Sequence, residues 1–135
     1  MAILSNLGRS KNTGLLIMRV GLGIMFLYHG YPKLLGGPEK WEQIGSATKY
    51  AGIHFAPTFW GFVAACTETF GGFLLVIGLA FRPVCLLLVI DLTVAALMHL
   101  HTGGGLDQAA HAIEDAVVFA GLLFVGPGRF SVDKK

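Results

Sequence analysis

Apolar residues run almost unbroken through four stretches of the chain: Gly14 to about Leu35, Thr58 to Ala80, Pro83 to Leu100, and Gln108 to Val125. Each holds roughly 18–23 residues, and at 1.5 Å of rise per residue such a helix matches a hydrocarbon layer about 30 Å thick. Inside lipid the backbone finds no water to bond, so single segments of this length have to be helical. The pattern predicts an all-α integral membrane protein, a four-helix transmembrane bundle formed as one domain over residues 1–135. The first apolar run is too long for the core of a secretory signal and carries no small-x-small site ahead of Tyr28-His29-Gly30, so it reads as a retained helix.

The polar breaks differ in kind. Gly36 to Pro57 reads as a long first loop with Trp41, Tyr50 and Trp60 near its ends, amphipathic rings suited to a headgroup boundary. Phe81-Arg82-Pro83 is so short that the second and third helices must be antiparallel neighbours, while His101-Thr102-Gly103-Gly104-Gly105 is a flexible turn. Gly126-Pro127-Gly128 ends the fourth helix. Arg9, Lys11, Arg82, Arg129, Lys134 and Lys135 fall on one side of this topology, against Lys33, Lys40 and Lys49 on the other. The bias of positive charge predicts a multi-pass protein of the cell inner membrane with both termini in the cytoplasm.

Composition agrees: 54% of the 135 residues are hydrophobic and 13% charged, about half the charged fraction that a water-facing domain carries. A formal net charge of +2 and the lack of a basic run argue against nucleic acid as a partner. Cys66 and Cys85 have no metal-type or redox-motif spacing. Helical rise puts them at depths of about 21 Å and 3 Å, too far apart for a disulfide.

The chemistry is carried by ionisable residues within the apolar segments: Arg19, His29, Lys33, Glu68, Asp91, His99, His111, Glu114 and Asp115. Such groups are expensive in a bilayer, so they face the bundle interior and pair with one another. Straight helices place Arg19 about 7 Å and Asp91 about 12 Å from the cytoplasmic ends, Glu68, Glu114 and Asp115 at roughly 16–18 Å, and His29, His99 and His111 at roughly 22–24 Å. Arg19, Gly23, Phe26, Gly30 and Lys33 share one stripe of the first helix, and His111 stands one turn from Glu114 and Asp115. Arg19 is expected to pair with Asp91 or Glu68, and Lys33 to snorkel toward the outer headgroups. Glu68, at mid-depth, is a candidate proton carrier. A metal or haem site formed by His29, His99 and His111 with Glu114 as fourth ligand is a sharper alternative to a proton relay through the same residues.

Several pieces in order carry a resemblance: Arg19-x-x-x-Gly23, then Tyr28-His29-Gly30-Tyr31-Pro32-Lys33, Glu68-x-x-x-Gly72, Gly78-x-x-x-Arg82-Pro83, His99, and finally Gly126-Pro127-Gly128-Arg129-Phe130-Ser131-x-Asp133. From Arg19 to Asp133 the chain resembles the DoxX family of small four-helix membrane proteins. The resemblance implies a redox neighbourhood: thiosulfate oxidation coupled to membrane quinone, and membrane complexes that handle oxidative and thiol stress. The expected function is therefore a quinone-linked, redox-associated membrane subunit, with Arg19, Glu68, Asp91 and His99 as its catalytic interior. His29, His111 and Glu114 are cofactor-binding candidates, with quinone ahead of haem or metal. Partners would be the lipid bilayer and a homo-oligomer or larger membrane redox complex. The alternative is a permease-like or scaffolding protein whose buried charges only set packing.

Overall fold

A computed structural model describes residues 2–134, so Met1 and Lys135, the latter one of the six charges on the terminal side, lie outside the described residues. The elements are α1 (Ala2–Ser5), a 3-10 turn (Asn6–Arg9), α2 (Lys11–Leu35), α3 (Gly37–Gly45), a 3-10 stretch (Ser46–Ala51), α4 (Pro57–Ile77), α5 (Phe81–His101) and α6 (Gly105–Val125). There is no strand among the described residues. Helices α2, α4, α5 and α6 are long and apolar enough to cross a membrane, each with an 18-residue window of mean hydropathy 1.3 or more.

The boundaries depart from the apolar runs where glycine intervenes. Helix α4 stops at Ile77 rather than Ala80, because Gly78 takes a left-handed conformation (φ 73°) and its N–H bonds the Leu74 carbonyl at 2.8 Å. Helix α2 begins at Lys11 and α6 at Gly105, each three residues earlier than the hydropathy suggests. The larger correction concerns the expected first loop. Gly37 turns the chain at φ 82°, Pro38 and Glu39 open a helix, and α3 then packs along α4. The contact needs glycine on both sides: a Cβ on Gly61 would overlap the Trp41 carbonyl, and one on Gly45 would overlap that of Pro57.

Glycine also makes the main helix pair. Between lipid-embedded helices the hydrophobic effect supplies no attraction, so close backbone packing must. A Cβ on Gly23 would lie 2.5 Å from the Gly72 carbonyl, and one on Gly30 would lie 2.6 Å from the Thr69 amide nitrogen, so α2 presses directly on α4. Helix α5 pairs with α6 around the buried Phe81, Leu88 and Phe119. Phe26 of α2 meets Phe119 edge-on at 5.2 Å and joins the two pairs. Helices α4 and α5 touch where Gly71 meets Val84 and Leu88, then part toward the end that carries α3.

The opposite end, where both termini lie, is closed by residues 126–134. Val132 N–H donates to the Ile77 carbonyl at 3.1 Å and Asp133 N–H to that of Gly78 at 3.0 Å. The Asp133 carboxylate accepts from Ala80 N–H at 3.1 Å and Phe81 N–H at 2.7 Å, capping α5 where its free N–H groups favour a negative charge. Arg82 donates to the Leu123 and Phe124 carbonyls at the end of α6, at 2.8 and 3.2 Å.

Candidate functional site

The parting of α4 and α5 leaves a cavity of about 570 Å³ at the α3 end of the bundle. Val63, Ala64, Val94 and Met98 form apolar walls, and residues 43–48 of α3 and the 3-10 stretch cover it. Leu87 and Ile90, both about half exposed (51% and 54%), form a rim that opens sideways toward lipid.

One wall is charged. Gly30 seats α2 against Glu68 and Thr69, and Lys33, one turn further on, reaches over the gap. Its Nζ donates to both oxygens of Glu68, at 3.0 and 2.9 Å, with Glu68 buried and the Lys33 side chain one-third exposed. Asp91 of α5 completes the cluster: its carboxyl lies close to that of Glu68 and within range of the Lys33 charge, on the same cavity wall. His99, two turns along α5, lines the same cavity. Thr67 and Thr69 satisfy their hydroxyls on carbonyls of their own helix, both at 2.8 Å.

Of the seven catalytic and cofactor-binding candidates, three line this cavity: Glu68, Asp91 and His99. Arg19 does not pair with Asp91 or Glu68. Gly30, the α2 residue that touches Glu68, lies about 16 Å further along the helix than Arg19. Arg19 is almost fully buried at the terminal end, where its Nη2 donates to the Phe130 carbonyl and its guanidinium packs on Gly78. Its Nε and Nη1 have no partner among the described residues. Lys33 likewise corrects the snorkelling expectation, since its head turns inward to Glu68. The signal was present in the sequence, because Lys33 continues the Arg19–Gly23–Phe26–Gly30 stripe.

His29, His111 and Glu114 form a second group on the other side of the bundle. All three are exposed, and their charges act on the half-buried Asp115, with His29 reaching it from α2. The four-ligand site of His29, His99, His111 and Glu114 is not assembled, because His99 lies in the cavity between α4 and α5. Among the described residues no three histidine, cysteine or carboxylate side chains are gathered to hold a metal ion. Cys66 and Cys85 are free thiols.

A sequence profile of the DoxX family matches residues 14–101, which span the cavity and its ion pair. The chain belongs to the DoxX family. This DoxX protein is also 32% identical over 136 residues to an uncharacterized membrane protein of Mycobacterium tuberculosis (strain ATCC 25618 / H37Rv), a match covering 87% of the present chain and 78% of that relative. No solved structure matches it. Family, relative and four spanning helices together establish a multi-pass membrane protein in a lipid bilayer.

Proposed function

We propose that this DoxX protein is the membrane subunit of a redox system and that its cavity receives a lipid-soluble ligand of the quinone class. The observation that carries the reading is the Lys33–Glu68–Asp91 cluster on the wall of an otherwise apolar cavity that opens onto the bilayer. A quinone headgroup needs flat apolar walls, a donor for each carbonyl oxygen and groups that exchange protons. The Lys33 ammonium supplies a donor, the adjacent Glu68 and Asp91 carboxyls are groups able to exchange protons, and His99 offers another. Electrons come from a redox partner in the same membrane complex, and this chain contributes position and protons. Arg19 holds the tail and stands outside the chemistry. Both termini face the cytoplasm in this reading, so a cysteine placed at Lys134 labels from that side and one at Glu39 from the other.

Both tryptophans report on the site: Trp60 lines the cavity, and Trp41 donates through Nε1 to the Lys33 carbonyl at 3.1 Å. A short-chain naphthoquinone should quench their fluorescence saturably in nanodiscs. Ala64→Phe, which fills the cavity, should abolish the saturable component, and Glu68→Gln should weaken it about tenfold, or about 1.4 kcal/mol. Quenching that is linear in quinone and indifferent to Ala64→Phe would favour the scaffolding alternative, in which the charges only fix helix register.

A further inference from the structure

The second polar group sits where a single chain cannot keep it. On α6, His111, Glu114, Gly121 and Val125 are exposed and Val118 is half-buried. Glu114 lies about 13 Å from the start of this helix, near mid-membrane, and an uncovered carboxylate or imidazole facing lipid tails at that depth has no hydrogen-bonding surroundings. We propose that this face of α6 is the seam of a homodimer, packed on the same face of a second copy about a two-fold axis along the membrane normal.

Three observations converge. Positions 111, 114, 118, 121 and 125 repeat in the alternating three- and four-residue steps of a two-stranded helical seam. Gly121 lies on that line, and a Cβ built on it meets nothing within 4 Å in the chain, so the backbone is open to close approach by a neighbouring helix. The polar pair is also complementary to itself. In a parallel two-fold pair, His111 of one copy lies diagonally across from Glu114 of the other, offset along the axis by about 4.5 Å, within reach of the two side chains. Lipid tails offer no such partner and a water-soluble protein does not reach mid-membrane, whereas a second copy brings the matching group to within one turn. His29 of α2 stays near enough to act electrostatically on Asp115 beside the seam.

The test uses the full chain in vesicles of phosphatidylcholine and phosphatidylglycerol, with energy transfer between differently labelled copies followed through a series of lipid dilutions. The wild type should give a saturable dimer curve. Gly121→Leu places its side chain in space that is empty in the single chain, so thermal stability in detergent should be kept while association weakens tenfold or more. Glu114→Leu should weaken association in the same direction. Gly21→Leu, on the exposed face of α2 with equally open space, should leave the curve unchanged. Gly121→Cys should form a disulfide-linked dimer on mild oxidation, unlike the parent chain with its two native thiols. A wild type that is monomeric at every dilution would overturn the proposal. So would unchanged association in Gly121→Leu, or cross-linking from Gly21→Cys in place of Gly121→Cys.

Discussion

The two ends of the bundle solve the same problem in opposite ways. At the terminal end, residues 126–134 fold back and hydrogen-bond the loose ends of α4 and α5, while Arg82 caps α6. The helix termini there are satisfied by the chain itself, as a lipid-bounded backbone requires. At the α3 end the helices separate, and side-chain charge takes the place of backbone closure, with Lys33, Glu68 and Asp91 facing one another across a cavity. A bundle this small can hold an open cavity at one end because the other end is tied. The difference also separates two kinds of buried polarity: Arg19 is packed against the tail, whereas Glu68 lines the cavity.

The sharpest way to break this contrast is to dislodge α3. Gly61→Leu forces a side chain into the Trp41 carbonyl, an overlap with backbone that no rotamer relieves. Overpacking costs typically 1–3 kcal/mol, and a side chain driven against backbone should reach about 3 kcal/mol or more. The expected result is a large drop in detergent thermal stability with red-shifted tryptophan emission, as α3 leaves α4. A variant with wild-type emission would mean that α3 is not what closes the cavity.

This also shows what the sequence did and did not disclose. Spans were legible because length and hydropathy decide them, and the stripe Arg19–Gly23–Phe26–Gly30–Lys33 identified the buried face of α2. The partners of that stripe were not legible. Charge attraction alone favours Arg19 with Asp91 or Glu68, but the register is set by Gly23 on Gly72 and Gly30 on Thr69, which bring Lys33 to Glu68 instead. Helix α3 was hidden in a polar segment whose contact rests on Gly45 and Gly61, residues without an apolar signature. In the tail, Gly126-Pro127-Gly128 signals only the end of α6, because capping by backbone N–H groups leaves little trace in side-chain type; Asp133 is the exception.

Next in size is Glu68→Leu, which strips Lys33 of its bidentate partner. Breaking a buried pair costs about 3–5 kcal/mol, but Lys33 is one-third exposed and can turn to Asp91, so about 2 kcal/mol is expected. The double variant Lys33→Leu with Glu68→Leu should recover most of that loss in a thermal-unfolding cycle. Failure to recover would mean that the two charges are not energetically coupled. At the tied end, Asp133→Ala removes the cap of α5 and should cost about 1 kcal/mol. Proteolysis within residues 126–134 should accelerate while quinone quenching stays at the wild-type level.

The smallest effect tests the independence of the ends most strictly. Arg82 is exposed, and its Nη1 donates to the Leu123 and Phe124 carbonyls, which would otherwise end α6 without donor partners. A cation at a helix C-terminus is worth about 0.3–1 kcal/mol, and screening at the membrane surface favours the lower part of that range. Arg82→Gln keeps a donor of shorter reach and removes the charge. Fraying should stay within the last turn of α6, where Gly126 N–H bonds the Leu122 carbonyl at 2.8 Å. Hydrogen exchange at Gly126 should therefore quicken several-fold, with no change at Thr67 or Glu68 and no change in tryptophan quenching by quinone. If exchange instead rises along α4 around the cavity, the tail and the cavity form one cooperative unit, and the division between a tied end and an open end fails.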